Sequence, residues 1–417
     1  MKNTKVIALL LASLLVLTIV GCGNNGDGDS DGSGGGDGGD TTVPGEYVWT
    51  SMIEPGPLDY DVSKSKRYNV CGTDEVVYTC ADEMIIFFDK ASGLSMPLCG
   101  KPECSHDDAT CNAYAGRKCN ALSVYDGKLY WVDDYYDTMT VRRCGPDGTN
   151  RETVVEANMD HSLSSLVMND RRMFFHRGYL YVYGSGLVNG KSLSTVLSVS
   201  LTDGAVTKVF SKDIGGRFEV VPVGDEIYMM ISNASGRDLA NFVWGTEHLE
   251  AHKLDLTTGV LEQIFSFDSD VENISYECWG FLPVPGDGIY FERTYEYEKT
   301  EGKGDYTSLA SILKYSFITG EIEEVTPKLD ADGQDEFFSL TFMRDCILGR
   351  LRGAAHLFDY GGNYLGSAKC NAMTSFEVYK DEKYVYYCEM IMEGMSSTGE
   401  FRFIAAPIGG GESIIFE

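Results

Sequence analysis

Hydrophobic and polar positions alternate over most of the chain, in short runs that are separated by Asp and Gly turns. The runs are rich in Val, Ile, Tyr and Phe, which is typical of β-strands that are half buried. After residue 20, no long stretch has the 3.6-residue periodicity of an amphipathic helix. The pattern therefore predicts an all-β protein.

Two short elements recur along the chain and alternate with each other. The first is an Asp turn that leads into a strand, and its copies begin at Asp74, Asp126, Asp170, Asp225, Asp287, Asp345 and Asp381. The second is a tight glycine turn between two strands, with copies at Ser92-Gly93, Asp147-Gly148, Asp203-Gly204, Thr258-Gly259, Thr319-Gly320, Gly361-Gly362 and Gly409-Gly410. Each unit of roughly fifty residues then holds four strands, which is the composition of a propeller blade. We predict a seven-bladed β-propeller of four-stranded antiparallel blades over residues 68–417; a set of sandwich domains would not produce seven even copies.

The N-terminus has the features of an export signal. Lys2 and Lys5 precede an uncharged run over residues 6–20, which is too short for a membrane span of about 20 residues. The run ends in Ile19-Val20-Gly21-Cys22, which resembles the lipobox of bacterial lipoproteins. The resemblance implies a signal peptide over residues 1–21 and a lipid on Cys22; the alternative is an ordinary signal peptide followed by a cysteine by chance.

The segment after Cys22 consists mainly of Gly, Asp, Ser and Asn, and residues 23–42 contain no apolar side chain. Such a segment cannot bury surface, so we predict a disordered tether over residues 22–45. Residues 46–67 are either an extension or a latch strand that adds to the last blade.

The charge limits the partners of the chain. It has 63 acidic and 34 basic residues and a net charge of −29, which argues against nucleic acid because phosphates would be repelled. Hydrophobic residues make up 43% of the chain, enough for a packed core. We expect a monomer on the outer face of the cell membrane, which it contacts through the lipid anchor alone.

The second and third strands of the predicted blades are joined by long, varied loops, whereas the third and fourth are joined by short glycine turns. Binding sites gather where loops vary on a rigid scaffold. Aromatic side chains in these loops could stack on sugars or peptides, although ordinary anchoring of the loops is the alternative. The candidate ligand-binding residues are Tyr135, Tyr136, Trp244, Tyr295, Tyr297 and Tyr306.

The crossover from the first to the second predicted blade, residues 99–119, is rich in cysteine. Cys99, Cys104, His106 and Cys111 offer three thiols and an imidazole, the ligand types of tetrahedral zinc. Alternatively, Cys99, Cys104, Cys111 and Cys119 form two disulfides that staple a segment without a core of its own. The other cysteines near predicted strands are expected to be buried thiols: Cys71, Cys80, Cys144, Cys278, Cys346 and Cys388.

Motifs of common enzyme classes are absent from the sequence. It contains no G-x-S-x-G, no H-E-x-x-H and no phosphate-binding loop. We therefore expect a non-enzymatic protein that binds an extracellular glycan, peptide or protein. The alternative is an extracellular propeller glycoside hydrolase or lyase that uses carboxylates in the central funnel.

The whole chain resembles propeller lipoproteins of Gram-positive anaerobic bacteria. The resemblance rests on the lipobox, the Gly/Asp tether, the segment Cys-Gly-Lys-Pro-Glu-Cys-Ser-His at residues 99–106 and strands that begin Asp-Gly-x-Leu-Tyr. It implies a surface location and a propeller fold, and it implies no reaction because a fold does not determine function.

Overall fold

The computed structural model describes residues 70–416, apart from residues 82, 107–108, 136, 160, 165–166, 168, 215, 236–245, 269–273, 299–305, 330–336, 338, 344, 352, 371–374 and 394–395. In this part of the chain, 28 strands form seven four-stranded antiparallel sheets. In each sheet the four strands are consecutive in the chain and adjacent in space. The prediction of a seven-bladed propeller is confirmed.

The blades follow one another along the chain. Blades 1 to 4 consist of β1 (Val70–Gly72), β2 (Val76–Ala81), β3 (Met84–Asp89), β4 (Ser95–Pro97); β5 (Cys119–Tyr125), β6 (Lys128–Tyr135), β7 (Thr138–Cys144), β8 (Glu152–Asn158); β9 (Asn169–His176), β10 (Tyr179–Val188), β11 (Lys191–Ser200), β12 (Val206–Lys212); and β13 (Arg217–Val223), β14 (Glu226–Ser235), β15 (Thr246–Leu254), β16 (Leu261–Asp268). Blades 5 to 7 consist of β17 (Ile274–Val284), β18 (Gly288–Glu298), β19 (Tyr306–Ser316), β20 (Ile322–Glu324); β21 (Ser339–Met343), β22 (Cys346–Leu351), β23 (Ala354–Phe358), β24 (Tyr364–Lys369); and β25 (Ser375–Lys380), β26 (Tyr384–Glu393), β27 (Ser396–Pro407), β28 (Ile414–Phe416).

The four strands of a blade are called a, b, c and d from the centre of the ring outwards. The b–c connections and the d-to-a crossovers then lie on one face of the ring, and the a–b and c–d turns lie on the other. A single-turn helix, α1 (His161–Ser164), lies in the crossover between blades 2 and 3. No helix in the described ranges is long and apolar enough to cross a membrane.

All seven predicted glycine turns lie between the c and d strands, but one predicted Asp turn is misplaced. Asp170 lies inside β9, the a strand of blade 3. The a–b turn of this blade is formed instead by Arg177 and Gly178, both of which have a positive φ. The sequence signal of this turn is the Arg-Gly pair, because a two-residue hairpin needs left-handed backbone at both positions.

The glycine of several c–d turns is required by the neighbouring blade as well as by its own φ. Gly259 of blade 4 has φ +67°, and a Cβ there would overlap the carbonyl oxygen of Val209 on the d strand of blade 3. A Cβ at Gly148 would likewise overlap the carbonyl oxygen of Leu98, and a Cβ at Gly204 would overlap that of Glu156, both of which precede the blade in question. The absence of a side chain therefore lets each turn pack directly on the backbone of its neighbour.

Tyrosines near the start of the b strands connect a blade to the one that follows it, whereas the glycine turns pack on the blade that precedes them. The Tyr78 hydroxyl donates a hydrogen bond to the carbonyl of Pro146 in the c–d turn of blade 2, at 3.0 Å. The Tyr290 hydroxyl likewise donates to the carbonyl of Tyr360, at the c–d turn of blade 6, at 3.1 Å. Burial is the largest factor that raises the pKa of both phenols, so they stay neutral donors over the physiological range.

Among the described strands, blades 1 and 7 share none, because each is built from one continuous segment. The predicted extension or latch strand over residues 46–67 lies outside the described residues. Phe88 of blade 1 stacks on Phe403 of blade 7, with 4.2 Å between the ring centroids. Lys90 Nζ lies 2.5 Å from Asp381 Oδ2, and both side chains are largely buried. Burial opposes ionisation of Asp381, but hydrogen bonds from Lys90, Tyr386 and the Lys383 amide outweigh it and lower the pKa of Asp381.

Substitution of Gly259 by Ala should destabilise the propeller more than the same substitution at Gly127. Both residues have nearly the same φ, but a Cβ at Gly127 has nothing within 4 Å. Both variants incur about 1–2 kcal/mol for a left-handed non-glycine residue, and Gly259→Ala adds about 1–3 kcal/mol for overpacking against Val209. Urea unfolding of both variants measures the difference, and equal losses would show that this turn does not pack as described.

Candidate metal centre

The crossover between blades 1 and 2, residues 98–118, lies on the face of the b–c connections. The Ile85 amide donates to the Ala113 carbonyl at 2.8 Å, and the Ala115 amide donates to the Glu83 carbonyl at 2.6 Å. Trp131, fully buried, donates from its indole Nε1 to the Ala115 carbonyl at 2.7 Å. The crossover is therefore tied to the b–c end of blade 1 and covers the core between the two blades.

Four side chains of the crossover converge on one point. The Sγ atoms of Cys99, Cys104 and Cys111 and a ring nitrogen of His106 all lie within 4.8 Å of one another. His106 Nδ1 and Cys111 Sγ are 3.3 Å apart. Zn–S and Zn–N bonds of about 2.3 and 2.0 Å require tetrahedral edges of about 3.6–3.8 Å. Three thiolates and one imidazole are a common ligand set for structural zinc, and this arrangement needs only small adjustments to hold it.

The local backbone brings the ligands together. The Cys104 amide bonds the Lys101 carbonyl at 3.2 Å, which closes a turn between the first two cysteines. His106 has φ +57°, and this left-handed residue reverses the chain directly after Cys104. Lys101 Nζ donates to the Thr110 carbonyl at 2.7 Å, which ties the two ends of the loop together.

Backbone amides point at two of the sulfurs. The Ala113 amide lies 3.4 Å from Cys111 Sγ, and the amides of Lys101 and Asn112 bond Cys99. Burial opposes ionisation of Cys99, but these amides and the neighbouring thiols lower its pKa. Cys111 is more deeply buried, and burial raises its pKa to about 12. Amide donors of this kind favour thiolates and orient them as metal ligands.

The structure pairs the cysteines differently from the expected two disulfides within the crossover. Cys119 is bonded to Cys80 of β2, with 6.2 Å between the Cα atoms, so Cys80 is not a buried thiol. Cys99, Cys104 and Cys111 form no disulfide in this structure. Cys144, Cys346 and Cys388 are buried, as expected for structural thiols, and burial raises the pKa of each to about 12.

The predicted aromatic residues are distributed over several blades. Tyr135 ends β6, is 45% exposed and lies under the Arg117 guanidinium, 4.4 Å from the ring centroid. Tyr295 and Tyr297 lie on β18, and Tyr306 lies on β19 where its backbone pairs with Glu298. Tyr136 and Trp244 lie outside the described residues. The candidates that the structure describes therefore lie on blades 2 and 5, and a shared ligand site stays a prediction.

The regions predicted as long loops are largely two-stranded ribbons. In blade 3 the ribbon ends in a two-residue turn of Asn189 and Gly190, and in blade 5 the strands β18 and β19 have eleven residues each. The corresponding strands of blade 6 have six and five residues. Ribbons thus extend the face of the b–c connections, while the c–d turns on the opposite face stay short.

Buried carboxylates at this end of the ring are bonded to arginines of neighbouring blades. Asp134 of blade 2 lies 3.1 Å from Arg171 of blade 3. Glu219 of blade 4 is fully buried, lies 2.5 Å from Arg172 and accepts a hydrogen bond from Tyr183. Because Arg171 and Arg172 are adjacent on a strand, they point to opposite faces of blade 3. Each therefore pairs with a different neighbouring blade.

No family model and no curated protein matches the sequence. Among solved structures, the chain is similar to the β-propeller domain of the Trilobed protease from Pyrococcus furiosus, with 10% identity and a TM-score of 0.45 over 83% of this chain and 96% of that chain. It is also similar to the acylaminoacyl peptidase of Pyrococcus horikoshii, with 11% identity and a TM-score of 0.48 over 86% of this chain and 54% of that chain.

A third similar structure is the α-L-arabinofuranosidase Arb93A of Fusarium graminearum. It shares 10% identity and gives a TM-score of 0.38 over 70% of this chain and 91% of that chain. At such low identity these likenesses concern the propeller fold alone, and the two enzyme activities belong to those proteins.

Proposed function

We propose that this chain is a lipid-anchored protein of the bacterial cell surface that binds an extracellular ligand without catalysing a reaction. The observation that carries the proposal is the difference between the two faces of the ring. One face carries extended ribbons and the cysteine-rich crossover, and the other has only short turns. Variable connections on a rigid scaffold are where binding proteins place their contacts.

The anchor in this proposal is the lipid on Cys22. Its support is the sequence of residues 1–22, since the structure describes no residue before Val70. The Gly/Asp tether would give the propeller a root-mean-square reach of about 25 Å from the membrane over its 20 residues after Cys22. The acidic propeller would be repelled by an anionic leaflet, which leaves its binding face accessible.

The second part of the proposal is a structural zinc ion bound by Cys99, Cys104, His106 and Cys111. Four protein ligands fill a tetrahedral zinc shell and leave no open position for a substrate, so the ion would hold the fold rather than catalyse a reaction. Its role would be to fix a crossover whose described buried apolar side chains are few: Leu98, Cys111, Ala113 and Ala115.

The buried ion pairs support binding over the alternative of a glycoside hydrolase. Catalytic carboxylates have to reach a substrate, whereas Asp134 and Glu219 are buried and already bonded to Arg171 and Arg172. We assign these groups to the contacts between blades.

The full chain, purified without chelator, should contain one equivalent of zinc. Cys104→Ser should lose the metal and lower the melting temperature, because it removes one of four ligands and leaves the crossover without its cross-link. Elemental analysis and thermal unfolding measure both effects. The control is Cys370→Ser, which changes a half-buried cysteine of blade 6 outside the cluster and should keep the full equivalent.

Counting of reactive thiols can contradict the zinc site. Removal of zinc by a chelator should make Cys99, Cys104 and Cys111 reactive. Metal-free protein in which these three cysteines react only after reduction would contradict the zinc site and indicate disulfides instead.

Cys22→Ala should abolish lipid attachment, because no thiol remains to carry the diacylglycerol. In bacteria that express the full chain, the variant should be released from the membrane fraction or remain uncleaved, and it should not be labelled by a fatty-acid probe. Labelling equal to that of the wild type would contradict the anchor.

A further inference from the structure

The segment between Cys111 and Cys119 is held at four points. Cys111 is one of the four converging ligands, and Cys119 is bonded to Cys80. Between them, the Arg117 amide donates to Asp133 Oδ1 at 3.2 Å, and the Asp134 amide donates to the Lys118 carbonyl at 2.9 Å. The segment is thus fixed along the end of β6.

Gly116 is needed for this arrangement. Its φ is +116°, and a Cβ at this position would overlap the carboxylate of Asp133. The missing side chain lets Asp133 reach the Arg117 amide while it also bonds Arg142, whose Nη2 is 3.2 Å away. The backbone conformation at Arg117 is therefore fixed by Gly116 and by the carboxylate of Asp133.

Two cations on this segment lack the partners that their neighbours have. Arg142 pairs with Asp133 and Arg171 pairs with Asp134. Arg117 and Lys118 are exposed and form no ion pair within the described ranges. The charge of Lys118 acts on the buried carboxyl of Asp134 and opposes the rise in pKa that burial causes there, whereas the Arg117 guanidinium has no described carboxylate within ion-pair distance. On a chain of net charge −29, this pair of adjacent exposed cations is a place where an anionic group can meet positive charge.

The Arg117 guanidinium is already oriented. It lies over the partly exposed ring of Tyr135 at 4.4 Å, and Arg117 itself is exposed. A guanidinium presents two parallel N–H donors that match the two oxygens of a carboxylate. Because stacking restricts the side chain beforehand, less rotamer entropy is lost when a carboxylate binds.

We propose that Arg117, Lys118 and Tyr135 form a binding site for the carboxylate groups of an acidic polysaccharide that contains uronic acids. Arg117 binds the carboxylate in a bidentate manner, Lys118 adds a second positive charge, and the exposed part of the Tyr135 ring contacts the sugar. The proposal rests on the proposed function, because it names the ligand class of the same face of the propeller.

A polysaccharide fits this surface better than an acidic peptide. Most peptide-binding modes use the edges of sheets or apolar grooves, and acidic peptide motifs are bound by clusters of several arginines, whereas this site offers one arginine and one lysine. Tyr135 is the only large exposed hydrophobic side chain described in the crossover or on the b–c side of blade 2; the other such residues of blades 1 and 2 are Leu94 and Met96, near the c–d turn of blade 1. A hydroxyl-rich ligand with separated carboxylates needs no apolar pocket.

The test compares two trisaccharides by calorimetry with the full, zinc-containing chain. A galacturonate trisaccharide should bind, and the matched neutral galactose trisaccharide should bind at least about 10-fold more weakly. Arg117→Ala should weaken binding of the galacturonate about 10- to 100-fold, the value of a hydrogen bond to a charged group. Tyr135→Ala should weaken it about 2- to 5-fold through loss of the stacked ring.

The matched control is Lys191→Ala, which removes an exposed cation at the ribbon tip of blade 3, on the same face. It should leave the affinity unchanged. Equal affinity for the two sugars, an unaffected Arg117→Ala variant, or tighter binding of a hexaglutamate peptide than of the galacturonate would overturn the proposal.

Metal analysis on the same samples separates this proposal from the zinc site. Zinc-containing protein that does not bind galacturonate contradicts the carboxylate site alone. Protein that lacks zinc yet binds galacturonate through Arg117 contradicts the zinc staple and supports the carboxylate site.

Discussion

Each blade of this protein is a sheet with two faces, and both faces have to be buried by neighbours. The described cores lie between consecutive blades, with aromatic and aliphatic side chains of two sheets in each. A linear array would leave one face of blade 1 and one face of blade 7 in water. The contact between Phe88, Lys90, Phe403 and Asp381 closes the ring, and it gives blades 1 and 7 the second neighbour that the other five blades already have. Removal of one partner from such a largely buried ion pair costs about 3–5 kcal/mol.

The closed ring also determines what its faces can carry. On the side of the c–d turns, the turns of blades 2, 3 and 4 pack against the backbone of the preceding blade at Gly148, Gly204 and Gly259, so little room is left there for insertions. On the opposite side the b and c strands extend beyond the ring without disturbing these contacts. The crossover from blade 1 to blade 2 lies on this permissive side and has few apolar side chains. It therefore depends on cross-links and on Trp131 beneath it.

Much of the fold could be predicted from local turn chemistry. A glycine with positive φ between two strands leaves a clear signal, and all seven c–d turns were found from it. The prediction at Asp170 is wrong because this Asp lies within β9 and not in the turn that precedes a strand. The actual a–b turn of blade 3, at Arg177 and Gly178, contains no Asp and so lacks the signal. From the sequence, a loop is predicted at the ribbon of blade 3, although Asn189 and Gly190 are a strong hairpin signal.

The candidate site was only partly visible in the sequence. Cys99, Cys104, His106 and Cys111 could be selected because their ligand types and spacing are local. The bond from Cys119 to Cys80 joins residues 39 positions apart, and no local pattern indicates such a partner. The stacking of Arg117 on Tyr135 could not be foreseen either, since it depends on Gly116 and on the carboxylate of Asp133.

Hydrogen exchange of the full chain tests the account of ring closure most directly. Asp381→Asn removes the charge that Lys90 meets across the contact between blades 1 and 7. The account predicts faster exchange in β2 and β26, the b strands of these two blades, and unchanged exchange in β14 of blade 4, which keeps both neighbours. Equal acceleration in all seven blades, or no change in β2 and β26, would contradict the claim that this contact closes the ring.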